Sequence, residues 1–177
     1  MTMRLCSIIG RKGSGKTTLV VALAREFKRQ GKRVGTIKHA SHPALVDAEG
    51  TDSFRHFHQG MAERSMVASP DLRVTFERTS ENHDPVALAI RYMAGLDIVL
   101  CEGFRSSRLP RVEVVRREVS QEPPYYTVPA PGAGPWLGVV TDDLALTAPC
   151  RIVRFQDTMW LPVISMLAWE HGLLVEP

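Results

Sequence analysis

No apolar run in this 177-residue chain approaches the ~18–20 residues that a membrane span needs. The apolar stretch near the N-terminus stops at Gly10 and yields to a glycine-rich loop. A secretory leader, with its longer apolar core and small-residue cleavage site, is therefore not expected. Cysteine is scarce: Cys6, Cys101 and Cys150 are odd in number and scattered, which argues against a disulfide framework and for a reducing, cytoplasmic setting. Cys6 and Cys101 sit inside apolar runs and read as buried core thiols. Charge of one sign is also lacking. The balance of 22 basic against 19 acidic residues leaves +3, too little to argue for nucleic acid, and a basic phosphate pocket accounts for it equally well. Proline and glycine stay close to average usage and no segment repeats, so neither disorder nor a fibrous repeat is indicated. What remains is ordinary globular composition, 44% hydrophobic, in a chain able to bury one core as a single domain over residues 1–177.

The order of elements predicts an α/β fold. Leu5 to Ile9 is a short apolar run, as in a strand buried on both faces. Leu19, Val20, Leu23, Ala24 and Phe27 then recur at helical spacing over Thr17 to Gln30, with Gly31 as a stop. Arg33 to Lys38 reads as a second strand. Strand, glycine loop, helix, strand makes a right-handed parallel crossover. Downstream, His39 to Gly50 reads as loop and Asp52 to Gly60 as a short helix. Arg64 to Ser69 and Leu72 to Glu77 form an expected hairpin turning at Ser69-Pro70-Asp71. Asp84-Pro85 opens a helix through about Met93. Asp97 to Glu102 encloses a fully apolar strand, and Arg111 to Arg116 alternates as if one face were wet. The five prolines and two glycines of Glu122 to Pro135 mark a loop. Trp136 to Val140 and Arg151 to Phe155 read as late strands, and Met159 to Glu170 as a closing helix despite Pro162. A three-layer α/β fold with a mostly parallel sheet and a small antiparallel extension is expected.

The first strand and helix flank Gly10-Arg11-Lys12-Gly13-Ser14-Gly15-Lys16-Thr17, which satisfies G-x-x-x-x-G-K-[ST] in the strand–helix context that the motif requires. Its glycines let backbone N–H groups converge as an anion nest, and the following helix adds its positive end. Lys16 is expected on the β- and γ-phosphates, and the Thr17 hydroxyl on Mg2+. Asp97 and Glu102 bracket one strand about 16 Å apart at ~3.3 Å per residue. Ligands of open α/β sheets lie beyond the carboxyl ends of the strands, so Glu102 is the expected acidic partner of the metal, with Gly103 permitting the turn. Asp97 more naturally caps the strand's entry. Lys38 and His39 end the second strand near the same place, where Lys38 reads equally as an anion contact or as a solvated strand end. His39, His42, His56 and His58 have no accompanying cysteine, which disfavours zinc. Asp47, Glu49, Asp52 and Ser53 suit a lid sensing the γ-phosphate, although Asp52 could simply cap a helix. Asp142, in Thr141-Asp142-Asp143, could accept hydrogen bonds from guanine, yet no N-K-x-D run is present. Arg105, Arg108, Arg111, Arg116 and Arg117 could face an anionic substrate or partner, with a solvated surface as the default.

Gly10 to Thr18, Lys38-His39, Gly50 with Asp52-Ser53, Gly60, Asp97 with Glu102-Gly103-Phe104, Pro110 to Arg116, and Thr141-Asp142 stand together in one order. In this the chain resembles the molybdopterin-guanine dinucleotide biosynthesis protein B (MobB) family, over most of its length to about residue 145. The resemblance implies a GTP-binding accessory protein with weak, Mg2+-dependent GTPase activity, usually a homodimer. Such a protein assists the nucleotidyltransferase that joins GMP to molybdopterin, itself a candidate ligand. It also implies nucleotide contacts from the Gly10–Thr18 loop, Lys38, His39, Asp52, Gly103 and Asp142, with Lys16 and Glu102 catalytic and Thr17 and Glu102 on the metal. Two positions depart from the pattern: Thr51 stands where lysine is usual before Asp52-Ser53, and Arg105 replaces the common lysine after Glu-Gly-Phe. A phosphate-loop kinase with an arginine-bearing lid is the alternative reading. A metal-chaperone GTPase would need a cysteine–histidine metal site.

Overall fold

The computed structural model describes residues 2–40, 46–80, 83–119 and 122–176. His42 and Pro43 lie outside the described residues. The chain divides into two compact units, Met1–His39 with His83–Pro177, and Ala40–Asn82.

The larger unit is built on a seven-stranded sheet. Its strands are β1 (Met3–Gly10), β2 (Val34–Lys38), β5 (Ile98–Glu102), β6 (Arg111–Val115), β7 (Trp136–Thr141), β8 (Ile152–Arg154) and β9 (Leu173–Val175). They run in the order β2-β5-β1-β6-β7-β8, all parallel, with β9 antiparallel to β1. Two strands share one edge of β1, since β9 takes Met3 to Leu5 and β6 takes Ser7 to Gly10.

Side-chain alternation sorts the apolar residues into two layers. Cys6, Ile8, Ile98, Leu100, Val112 and Val114 face α1 (Lys16–Arg29) and α4 (Trp160–His171), while Met3, Leu5, Val99 and Cys101 face α3 (Pro85–Tyr92). Pro162 is harmless in α4 because it falls in the first turn, where backbone N–H groups have no partner inside the helix. Asp84 caps α3, accepting from the Ala87 N–H at 3.2 Å.

The strand expected to have a wet face does not have one. Within β6, Arg111 to Val114 are all buried, because the strand lies between β1 and β7. Its apolar side meets the α1 layer. The other side carries Arg111 and Glu113, which the loops covering it satisfy. Arg111, 1% exposed, donates to the carbonyls of Arg105, Ser107 and Leu109 and lies over the Trp136 ring. Glu113 accepts the N–H groups of Tyr125 (2.7 Å) and Tyr126 (3.1 Å), which form a short 3-10 turn in the proline-rich segment. Arg111 therefore leaves the group of arginines expected at a surface or a ligand.

The smaller unit opens with α2 (Asp52–Phe54), which continues as a turn of π-helix over Arg55–Gln59. Thr51, not Asp52, caps it, its hydroxyl accepting from the Phe54 N–H at 3.2 Å. β3 (Arg64–Ala68) and β4 (Arg73–Glu77) follow as an antiparallel hairpin, its turn closed by Ser69 N–H to the Leu72 carbonyl. Phe57 packs between His58, Phe76 and the Arg78 guanidinium. No helix among the described residues is long and apolar enough to cross a membrane.

Candidate functional site

The loop between β1 and α1 is shaped by crowding at its start. At Gly10 (φ +149°) a Cβ would come within 2.5 Å of the Val114 carbonyl and 2.6 Å of the Ser14 hydroxyl, so only glycine lets the chain turn there. Ser14 is buried and its N–H closes a turn onto the Arg11 carbonyl at 3.2 Å. At the N-cap of α1, Gly15 offers no side chain to the first helical turn, and that turn contains no acidic residue. Its amides and the helix dipole are thereby left to an incoming anion.

Lys16 folds back onto its own loop, Nζ donating to the Arg11 carbonyl at 2.8 Å. Burial lowers its pKa below the ordinary lysine value; Glu102 opposes the fall and Lys38 adds to it.

Glu102 closes the other side. It ends β5 with a side chain 9% exposed, and the Thr17 hydroxyl donates to both carboxylate oxygens at 3.0 Å. Lys38, its register partner on β2, brings Nζ to 3.2 Å from Oε1. Asp97, at the opposite end of β5, pairs with Arg33 and accepts the Arg33 N–H at 2.7 Å. It braces β2 against β5 and stands away from the loop. Gly103 (φ +104°) follows Glu102, and a Cβ there would press within 3.1 Å of His39 Cβ. His39 donates its N–H to the Glu102 carbonyl and packs edge-on against Phe104.

Sequence reasoning did not assign Arg11 its outward contacts. Its guanidinium pairs with Glu122, donates to the Pro123 carbonyl at 2.8 Å and lies 4.0 Å over the Tyr125 ring. The phosphate loop is thus tied to the proline-rich segment, which Glu113 anchors from below. Burial raises the Glu113 pKa, with the two tyrosine N–H groups, Arg11 and Arg111 acting against the rise. A carboxyl whose folded pKa exceeds its unfolded one holds its proton better in the native state. Its contribution to stability is full below the unfolded value and lost as pH rises through the folded one. Glu113→Gln should therefore flatten the fall in unfolding free energy above about pH 4.5, the ordinary carboxyl value. Urea unfolding of both proteins across pH 4–8 checks this.

Asp142 lies just past β7, its carboxylate accepting the Arg117 N–H at 3.0 Å and pairing with Arg116. Asp52 belongs to the smaller unit, and Lys12 and Thr18 are exposed. Among the described residues no three His, Cys, Asp or Glu side chains gather as a metal cluster, and His58 stacks on Phe54. Cys6 and Cys101 are free and buried; burial pushes the Cys101 thiol up to about 12.

The chain matches the family model for molybdopterin guanine dinucleotide synthesis protein B over residues 5–134. It belongs to the MobB family.

Among curated MobB relatives, the Haemophilus influenzae molybdopterin-guanine dinucleotide biosynthesis adapter protein is 35% identical over 126 residues, 68% of this chain and 67% of that one. The Escherichia coli adapter protein is 31% identical over 117 residues, 63% and 65% respectively. The match thus spans about two thirds of these relatives, and 48% of one from Methanocaldococcus jannaschii. The Bacillus subtilis MobB crystal structure superposes with a TM-score of 0.73 at 18% identity, covering 97% of this chain and 99% of that one. This likeness establishes the shared MobB fold: a mostly parallel sheet with helices, plus a small antiparallel sheet.

Proposed function

We propose that this chain is a GTP-binding adapter of molybdopterin guanine dinucleotide biosynthesis, acting beside the nucleotidyltransferase that joins GMP to molybdopterin. The observation that carries the reading is the convergence of Lys16, Thr17, Lys38 and Glu102 at the mouth of the glycine loop. Loop amides and Lys16 hold the phosphates. The Thr17 hydroxyl and the Glu102 carboxylate are hard oxygen donors that fit Mg2+, and the hydrogen bond between them holds the two together. When bound, the metal neutralises charge on the β- and γ-oxygens. Hydrolysis is slow, with Lys16 stabilising developing charge on the terminal phosphate and Glu102 orienting water. Asp142 supplies the preference for guanine through lone pairs beyond those engaged by Arg116 and Arg117, and His39 serves the nucleotide as a secondary contact. The adapter works as a homodimer in the cytoplasm, where its buried thiols stay reduced.

Calorimetric titration with GTP and ATP, with and without Mg2+ and the nucleotidyltransferase, tests the reading. Preferential GTP binding and a complex with the transferase are expected; robust phosphoryl transfer to an acceptor would establish a kinase instead. Light scattering should show a dimer. Glu102→Gln, which keeps the shape and removes the charge, should leave metal-free GTP affinity within about threefold and abolish most of the enhancement by Mg2+.

A further inference from the structure

Lys38 reads along the chain as a phosphate contact or a solvated strand end, and the structure adds a partner to that position. Lys38 and Glu102 are the last register pair of β2 and β5, side by side at the carboxyl end of the sheet. The lysine is 64% exposed, yet its ammonium reaches inward to a carboxylate that is 9% exposed. The same carboxylate receives the Thr17 hydroxyl on both oxygens. Lys16, the other ammonium nearby, is engaged elsewhere, on the Arg11 carbonyl.

We propose that Lys38 acts as an internal cation that compensates Glu102 and competes with a divalent metal for that carboxylate. The inference rests on the nucleotide-binding reading above and deepens it. A nearly buried carboxylate without a counter-charge would be costly, and the flexible, half-solvated lysine arm supplies one at little cost in packing. A hydroxyl can remain as a metal ligand beside Glu102; an ammonium cannot, because it has no lone pair and repels the incoming ion. Lys38 would therefore give up Glu102 to a metal, and its freed charge would turn to the triphosphate. Metal and triphosphate binding become coupled through one side chain. Metal without nucleotide binds poorly, because Lys38 opposes it, whereas metal arriving with a triphosphate gives Lys38 a new partner.

The test uses the full chain and Mn2+ as the probe, with free metal read by electron paramagnetic resonance in the absence of nucleotide. Lys38→Met keeps the stem and removes the charge. Relative to the parent it should bind Mn2+ about tenfold tighter without nucleotide, and GTP in the presence of EDTA about tenfold weaker. Lys38→Arg, which keeps a cation, should hold Mn2+ affinity near the parent's. Mn2+ bound no more tightly by Lys38→Met than by the parent, at whatever absolute affinity, overturns the competition. If the parent still binds Mn2+ with GTP in that case, only the role of Lys38 falls. A parent that binds GTP under no condition removes the nucleotide reading and this inference together.

Discussion

Lys16→Ala is expected to weaken GTP binding by at least about a hundredfold, the scale of losing ~3 kcal/mol from charge-assisted hydrogen bonds to phosphate. The ammonium is partly desolvated, and among the described residues it donates to the carbonyl of Arg11. Removing it should therefore cost the fold little while stripping the loop of the lysine expected on the phosphates. Calorimetry against GTP with Mg2+ measures the loss, and circular dichroism confirms that the sheet persists. A variant that binds as tightly as the parent would end the phosphate-loop account.

The largest expected effect on stability lies outside that loop. Arg111→Met should lower the unfolding free energy by about 3 kcal/mol, because the carbonyls of Arg105 and Leu109 lose its donors, that of Ser107 keeps the Gly134 N–H alone, and Glu113 loses a neighbouring cation. For a chain of this size that corresponds to roughly 10 °C in the melting midpoint. Arg111 is 1% exposed and gathers the carbonyls of Arg105, Ser107 and Leu109 into one fork, a geometry that lysine cannot reproduce. Arg111→Lys should recover only part of the loss. Differential scanning calorimetry separates these cases, and a drop under 1 °C for Arg111→Met would show that the loops over β6 find other donors.

The contrast between these two residues explains which features were legible along the chain. Lys16 belongs to a motif whose parts are neighbours in sequence, so local spacing alone carries its chemistry. The strand, glycine turn and helix around it follow from periodicity and glycine placement, and β1, α1, β2 and β5 match their expected spans within about two residues. Glu102 was separable from Asp97 by the same local logic, since a strand's direction decides which end meets the loop. Arg111 and Glu113 were misread because alternation of charged and apolar residues ordinarily means a half-solvated strand. Nothing local reveals that β7 and the segments 105–109 and 122–127 close over that face. The three-residue strand β9 is too short to have a period, and Thr51 outcompetes Asp52 as a cap through a one-residue difference in where the helix begins.

The amino-acid order by itself thus determined the parallel sheet, the anion nest and the chemical identity of the groups at its mouth, because each depends on neighbours within a few residues. Only the tertiary structure decided what those groups touch: Lys38 on Glu102, Lys16 on Arg11, and Arg11 on the proline-rich segment. The first and the last of these contacts join residues that are distant along the chain. Their energies depend on burial and on which charges are brought together, and both are properties of the folded molecule.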